Sequence, residues 1–159
     1  LGLDSLGPDD ESLIENLFDH LQAAETDYVI FYRRLADWTP GEDLMPRIQP
    51  AFYSEVSGDL REKWNAWGKT YAAVLARDGK PAAERISLMN RINPNFVLRN
   101  YLAQGAIELA EKGDPSGIEK LLQVLRHPYA DRPSDSDYAR KRPEWARSKP
   151  GCSALSCSS

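Results

Sequence analysis

The chain is short of the residues that most often carry chemistry. Its 159 residues include two histidines, two cysteines and two methionines. The cysteines, Cys152 and Cys157, have four residues between them and no second pair, a spacing that disfavours a zinc site. No Walker-type phosphate loop or GxGxxG turn is present, and there is no GxSxG, HRD, DFG or HExxH string. The sequence therefore offers no complete nucleophile elbow, kinase catalytic loop or zinc helix. Long apolar runs are missing too. A run such as Tyr28 to Tyr32 falls far below the roughly 20 residues needed to cross a bilayer, and no signal-peptide pattern opens the given sequence. Its first residue is Leu1 rather than Met, which points to a trimmed chain or a piece of a longer one.

What is present is an ordinary globular composition, 42% hydrophobic and 28% charged. A chain of this length buries roughly two thirds of its unfolded surface and needs neither metal nor disulfide to hold a core. Twenty-four acids against 20 bases leave a net charge of −4. The acids crowd the beginning: residues 1–70 hold 14 acids and 6 bases, a difference of −8, which repels phosphate backbones. Arg140, Lys141, Arg142, Arg147 and Lys149 form the only basic cluster, in a proline-rich stretch with Tyr138 and Trp145 as neighbouring aromatics. This is read as a solvated tail rather than a nucleic-acid surface.

Apolar residues recur at three and four, not at two, so the fold class is all-α: an irregular bundle of about five to six helices followed by an extended Pro/Ser-rich tail. The first helix is expected after Pro8, with Leu13, Ile14, Leu17, Phe18 and Leu21 on one face. The second runs from about Thr26 to Trp38, ahead of Pro40. Three prolines and Gly41 make residues 40–50 a loop. A third helix, from Gly58 to about Ala76, carries Leu60, Trp64, Trp67, Tyr71 and Val74 as a buried stripe. A short helix over residues 82–91 turns Ile86 and Met89 inward. Asn93 and Pro94 read as the start of the next helix, which ends near Gly113. Asp114 and Pro115 repeat the start signal for a last helix to about Arg126, packed through Ile118, Leu121, Leu122 and Leu125. The short Gly113 connection makes it the antiparallel partner of its predecessor. The domain reading is a helical domain over residues 1–126 and an extended tail over 127–159.

His20 is read as a boundary residue and His127 as a cation meeting the negative end of the last helix. The tail cysteines are the only candidate functional side chains that survive. Free thiols, a local Cys152–Cys157 bridge and a thiol that reaches a distant partner all remain open from the residues alone.

The run Met89-Asn90-Arg91-Ile92-Asn93-Pro94-Asn95-Phe96-Val97-Leu98-Arg99-Asn100-Tyr101-Leu102-Ala103-Gln104 resembles the C-terminal part of the selenoprotein O family. So do Gly113-Asp114, residues 122–126 with Pro128-Tyr129, then Tyr138, Pro143, Trp145 and the terminal Ser156-Cys157-Ser158-Ser159. Residues 40–80 fit only in outline.

That resemblance implies the C-terminal part of a larger protein adenylyltransferase on a protein-kinase-like scaffold, one that transfers AMP from ATP to Ser, Thr or Tyr hydroxyls of proteins. ATP and magnesium or manganese are implied for the intact protein. Neither is implied for this chain, because the family's catalytic, cofactor-binding and metal-binding groups lie in the kinase-like region before it. Partners implied are that region and unnamed protein substrates, with no nucleic acid and no membrane, in a bacterial cytoplasm. Cys157 matches the place of the family's selenocysteine or cysteine and is implied to be redox-responsive. Cys152 has no assigned counterpart. Asn93, Arg99 and Asn100 are read as capping and hydrogen-bonding residues. The competing reading is a freestanding helical interaction module; no second copy of the residue 103–125 hairpin recurs to support it.

Overall fold

The computed structural model describes residues 1–7 and 10–152. Seven α-helices and no strands occur among the described residues: α1 (Glu11–Ala23), α2 (Tyr28–Ala36), α3 (Met45–Ile48), α4 (Gly58–Asp78), α5 (Ala82–Ile92), α6 (Asn100–Ala110) and α7 (Ser116–Leu125). The chain divides into two compact units, residues 1–93 and 94–159.

The first unit is built around α4. Trp64, Trp67, Tyr71 and Val74 are all buried, as spacings of three and four require of one helical face. Trp64 sits at the centre of an aromatic cluster, with ring centroids 5.3 Å from Phe31, 5.6 Å from Phe52 and 5.7 Å from Trp67. Leu13, Leu17 and Leu21 of α1 and Phe31 and Leu35 of α2 close over it. Asp27 starts α2 by accepting from the Ile30 amide at 3.1 Å. The chain reaches α4 closely at Gly68, where an added Cβ would meet Leu44 Cδ2 at 3.0 Å. Ion pairs Asp10–Arg77 and Asp4–Lys80 tie the opening residues to the end of α4 and the residue pair beyond it.

Several expectations need correction here. Phe18 is 53% exposed, because α1 buries the strict i, i+4 row of Leu13, Leu17 and Leu21 and Phe18 stands one residue, about 100°, round from it. Residues 40–50 are not simply a loop. Pro46 enters the first turn of α3, where its missing N–H is no loss, and Gln49–Ala51 continues as a 3₁₀ turn around Pro50. This single turn is the helix that periodicity missed. Asn93 ends α5 rather than starting the next helix: its amide and its side chain Nδ2 both donate to the Met89 carbonyl, at 2.8 and 2.9 Å. Arg85, not Ile86, joins Met89 as a buried residue of α5.

The second unit opens with an extended segment. The Asn95 and Phe96 amides both donate to the Pro128 carbonyl, at 2.7 and 3.0 Å. These bonds hold residues 94–99 out of the helix, so α6 begins at Asn100. Gly113 takes the left-handed φ of +85° and the Asp114 amide donates back to the Leu109 carbonyl at 3.0 Å, the closure expected where a helix ends at glycine. Asp114 then accepts from the Ser116 amide at 2.9 Å as α7 starts. The hairpin packs through Ala106 of α6 and Leu121 and Val124 of α7. Ile118 and Leu122, expected in this contact, are exposed instead, because the row that faces α6 is the neighbouring one that starts at Gly117, closely approached by Ala106 and Leu109. Beyond α7 the chain makes two short 3₁₀ segments, Pro133–Ala139 and Glu144–Ala146, where only irregular structure was expected.

Candidate functional site

In the first unit, α1 and α4 flank a cleft of about 570 Å³. His20 stands edge-on to Trp64 with centroids 5.3 Å apart, and Lys63, Asp19, Asn16, Ser12 and Thr70 share the lining. Burial holds the His20 imidazole below its ordinary pKa, against a hydrogen bond with the Lys63 backbone that favours the charged form. The ring is therefore neutral at pH 7. Ser12 and His20 lie on the same helix eight residues apart, about 12 Å along its axis. That exceeds hydrogen-bond reach, so the cleft holds no serine–histidine pair for nucleophilic attack.

A second polar feature is the buried Arg85. Its guanidinium donates to the carbonyls of Trp38 at 2.6 Å and Leu35 at 3.4 Å, and approaches Met89 Sδ at 3.4 Å. These carbonyls close the end of α2, where the helix dipole is negative and favours a cation. Arg85 is thus a structural residue. The only sequence signal for it was a charged side chain four residues before Met89, on the row that periodicity turns inward.

The cysteines belong to the second unit. Cys152 is 4% exposed and its thiol is free; Cys157 lies outside the described residues. The stretch leading to Cys152 is tied to the α6–α7 hairpin at successive points. Asp135, 2% exposed, meets Lys120 Nζ of α7 at 2.7 Å and Arg132 Nε at 3.2 Å. The Lys120 hydrogen bond, with Arg132 adding to it, draws the Asp135 carboxyl below the ordinary carboxylate pKa. Further on, Tyr101 of α6 donates to the Arg140 carbonyl at 3.0 Å and stands edge-on to Trp145 at 6.3 Å. Lys149 reaches Glu108 of α6 at 2.5 Å and lies 5.3 Å from the Trp145 ring centre. Ala146 is fully buried, and Gln104 of α6 lies against Gly151. The only local sequence signal for Asp135 is the i,i+3 spacing to Arg132, since its other partner Lys120 is 15 residues away.

The basic cluster of this stretch is also paired. Arg140 meets Asp137 at 2.7 Å, and Arg147 meets Glu144 at 3.6 Å. His127 is exposed, its amide closing a turn onto the Val124 carbonyl. Arg99 precedes α6, its carbonyl accepting from the Leu102 and Ala103 amides. Among the described residues no three His, Cys, Asp or Glu side chains converge as a metal site, and no helix is long and apolar enough to cross a membrane.

Comparison with known proteins adds what the geometry does not supply. The family described as "Protein adenylyltransferase SelO" matches residues 1–126. A protein nucleotidyltransferase YdiU of Rhodopirellula baltica is 47% identical over 165 residues, covering 94% of this chain and 31% of the relative. The proteins of the same name from Nitrosospira multiformis and Tolumonas auensis are 41% and 43% identical over the whole chain, which covers 33% and 31% of each. The chain thus spans about a third of the length of the curated relatives it matches.

Proposed function

This chain belongs to the protein adenylyltransferase SelO family, and from that premise we propose that it is the C-terminal helical and regulatory region of an enzyme that moves AMP from ATP onto protein hydroxyls. The observation that carries this reading is the coverage: relatives named protein nucleotidyltransferases match 94% to 100% of the chain, yet the chain is only about a third of each. AMP transfer displaces pyrophosphate at the α-phosphorus of ATP and calls for divalent metal, cationic phosphate clamps and a positioned hydroxyl. Among the described residues no three His, Cys, Asp or Glu side chains converge, and the family resemblance puts these groups in the part of the relatives that this chain does not span. We therefore assign ATP, magnesium or manganese, and every catalytic group to the kinase-like part that makes up the rest of the relatives' length. The chain alone is inactive, and that kinase-like part is its immediate partner. Cys157 is the redox-responsive residue, pairing with a cysteine of the kinase-like part.

The experiment uses ATP labelled at the α-phosphate with manganese or magnesium. The intact protein is expected to label itself or added proteins, and the 159-residue chain to label nothing and to bind no ATP by calorimetry. Tight stoichiometric ATP binding by the chain would move the catalytic groups into it. An intact protein that transfers the γ-phosphate and not AMP would refute the reaction itself.

A further inference from the structure

The sequence predicts an extended tail, yet its contacts all fall on one hairpin. Asp135 engages Lys120, the Arg140 carbonyl engages Tyr101, Trp145 stands against Tyr101, Lys149 engages Glu108, and Gly151 lies against Gln104. The outer contacts are solvent-exposed pairs of small worth. Asp135 differs: it is a buried carboxylate whose partners come from two directions, Lys120 on α7 and Arg132 within the tail, and loss of one member leaves the others' charges without their counter-ion. Cys152 ends the series as a buried thiol.

We propose that residues 133–152 form a strap fastened to the α6–α7 hairpin, with Asp135 as the clasp, and that the fastened strap keeps Cys152 out of thiol chemistry while limiting how far the chain beyond it extends. The strap stands on the geometry above; its regulatory consequence rests on the reading of Cys157 as the redox-responsive residue. Cys157 is five residues past the fixed point, so its main chain reaches at most about 18 Å from Cys152. A partner thiol in the kinase-like part must lie within that radius, extended only by the two side chains, unless the strap lets go. A Cys152–Cys157 bridge, in which a small disulfide or peroxide takes up the two electrons the thiols lose, requires the same release, because a thiolate must be reachable to attack or be attacked. The strap thereby favours the distant partner over the neighbour.

The test uses the intact protein with iodoacetamide as probe and fragment mass spectrometry to separate label on Cys152 from label on Cys157. Native Cys152 is expected to react at least about tenfold more slowly than the same thiol in the denatured protein, as for any group that reacts only on local opening. Asp135→Asn is expected to remove most of that protection while the helical circular dichroism stays unchanged. Should Asp135→Asn fail to fold, Lys120→Met takes away the clasp from the α7 side, where the lysine side chain is 42% exposed, with the same expected rise in Cys152 labelling. Native labelling at the denatured rate would overturn the strap. Protection that survives both substitutions would overturn Asp135 as its clasp. Disulfide mapping of Cys157 is read separately, so a missing long-range bridge would refute the redox reading and leave the labelling result intact.

Discussion

Replacing Trp64 probes the centre of the first unit most directly. The indole is fully buried among Phe31, Phe52, Trp67 and His20. An aromatic of this size removes roughly 200 Å² from water, worth about 5 kcal/mol at 25 cal/mol per Å² as an upper bound. Measured truncations of buried Phe and Trp to Ala fall at about 3 to 5 kcal/mol. Trp64→Ala is therefore expected to lower the melting temperature by roughly 6 to 20 °C for a chain of this size. A gentler pair of substitutions separates packing from hydrogen bonding. Trp64 Nε1 is buried with no hydrogen-bond partner among the described residues, whereas Trp67 Nε1 donates to the Leu13 carbonyl at 2.9 Å. Trp64→Phe discards a desolvated donor along with some volume. Trp67→Phe discards a made bond worth about 1 kcal/mol, and is expected to be the more destabilising of the two. The assay is urea unfolding followed by far-ultraviolet circular dichroism, with tryptophan emission read in a Trp145→Phe background to remove the most exposed indole. A Trp64→Ala variant that unfolds at the wild-type midpoint, together with wild-type emission of a wet indole, would mean the stripe is a ligand platform and not a core.

Two titrations and one backbone substitution extend this. Burial pushes the Tyr71 phenol up to about 12, while its hydroxyl donates to the Leu1 carbonyl at 2.6 Å; the unfolded phenol ionises first, so this contribution to stability is complete below about pH 10 and lost as pH rises toward 12. Tyr71→Phe should flatten the alkaline slope of stability against pH, and an unchanged slope would refute the assignment. For His20 the sign is opposite: its folded pKa is depressed by burial, so its contribution is present above about pH 6.5 and falls as pH drops toward the folded value. NMR titration should place it below a normal histidine, and His20→Gln should remove the acid-side slope. Gly113→Ala, at φ +85° with nothing near the added Cβ, should cost about 1 kcal/mol from backbone strain alone; a neutral result would mean that the helix end relaxes without its left-handed turn.

What was legible beforehand followed from local rules. The α4 stripe, the Gly113 stop and the Asp114 start each depend on a few neighbouring residues, and each stands where periodicity and capping put it. Failures came where tertiary contacts outweighed a good local signal. Asn93-Pro94 is a sound helix start, but the Pro128 carbonyl, more than 30 residues away, claims the following amides. Ile118 and Leu122 are as apolar as Leu121 and Val124, and only the position of α6 decides which row is covered. Asp135 looked like any charged residue of a polar tail, because its burial depends on Lys120 and on the fold of the hairpin. The family, by contrast, was visible in one contiguous run and an ordered tail.

The Pro128 carbonyl also bears on where this polypeptide tolerates being cut. It lies two residues past the last residue of the family match, Arg126, and receives two amides, one of them from the buried Phe96. A shortened chain ending at residue 126 would strip the acceptor from both donors at once and take Asp135 from Lys120. Each buried N–H left without a partner costs about 1 to 3 kcal/mol, comparable to the whole margin of a small unit. The end of the family match and the end of a folding unit are different borders in this protein, and expression trials that trim to the first would sever the second.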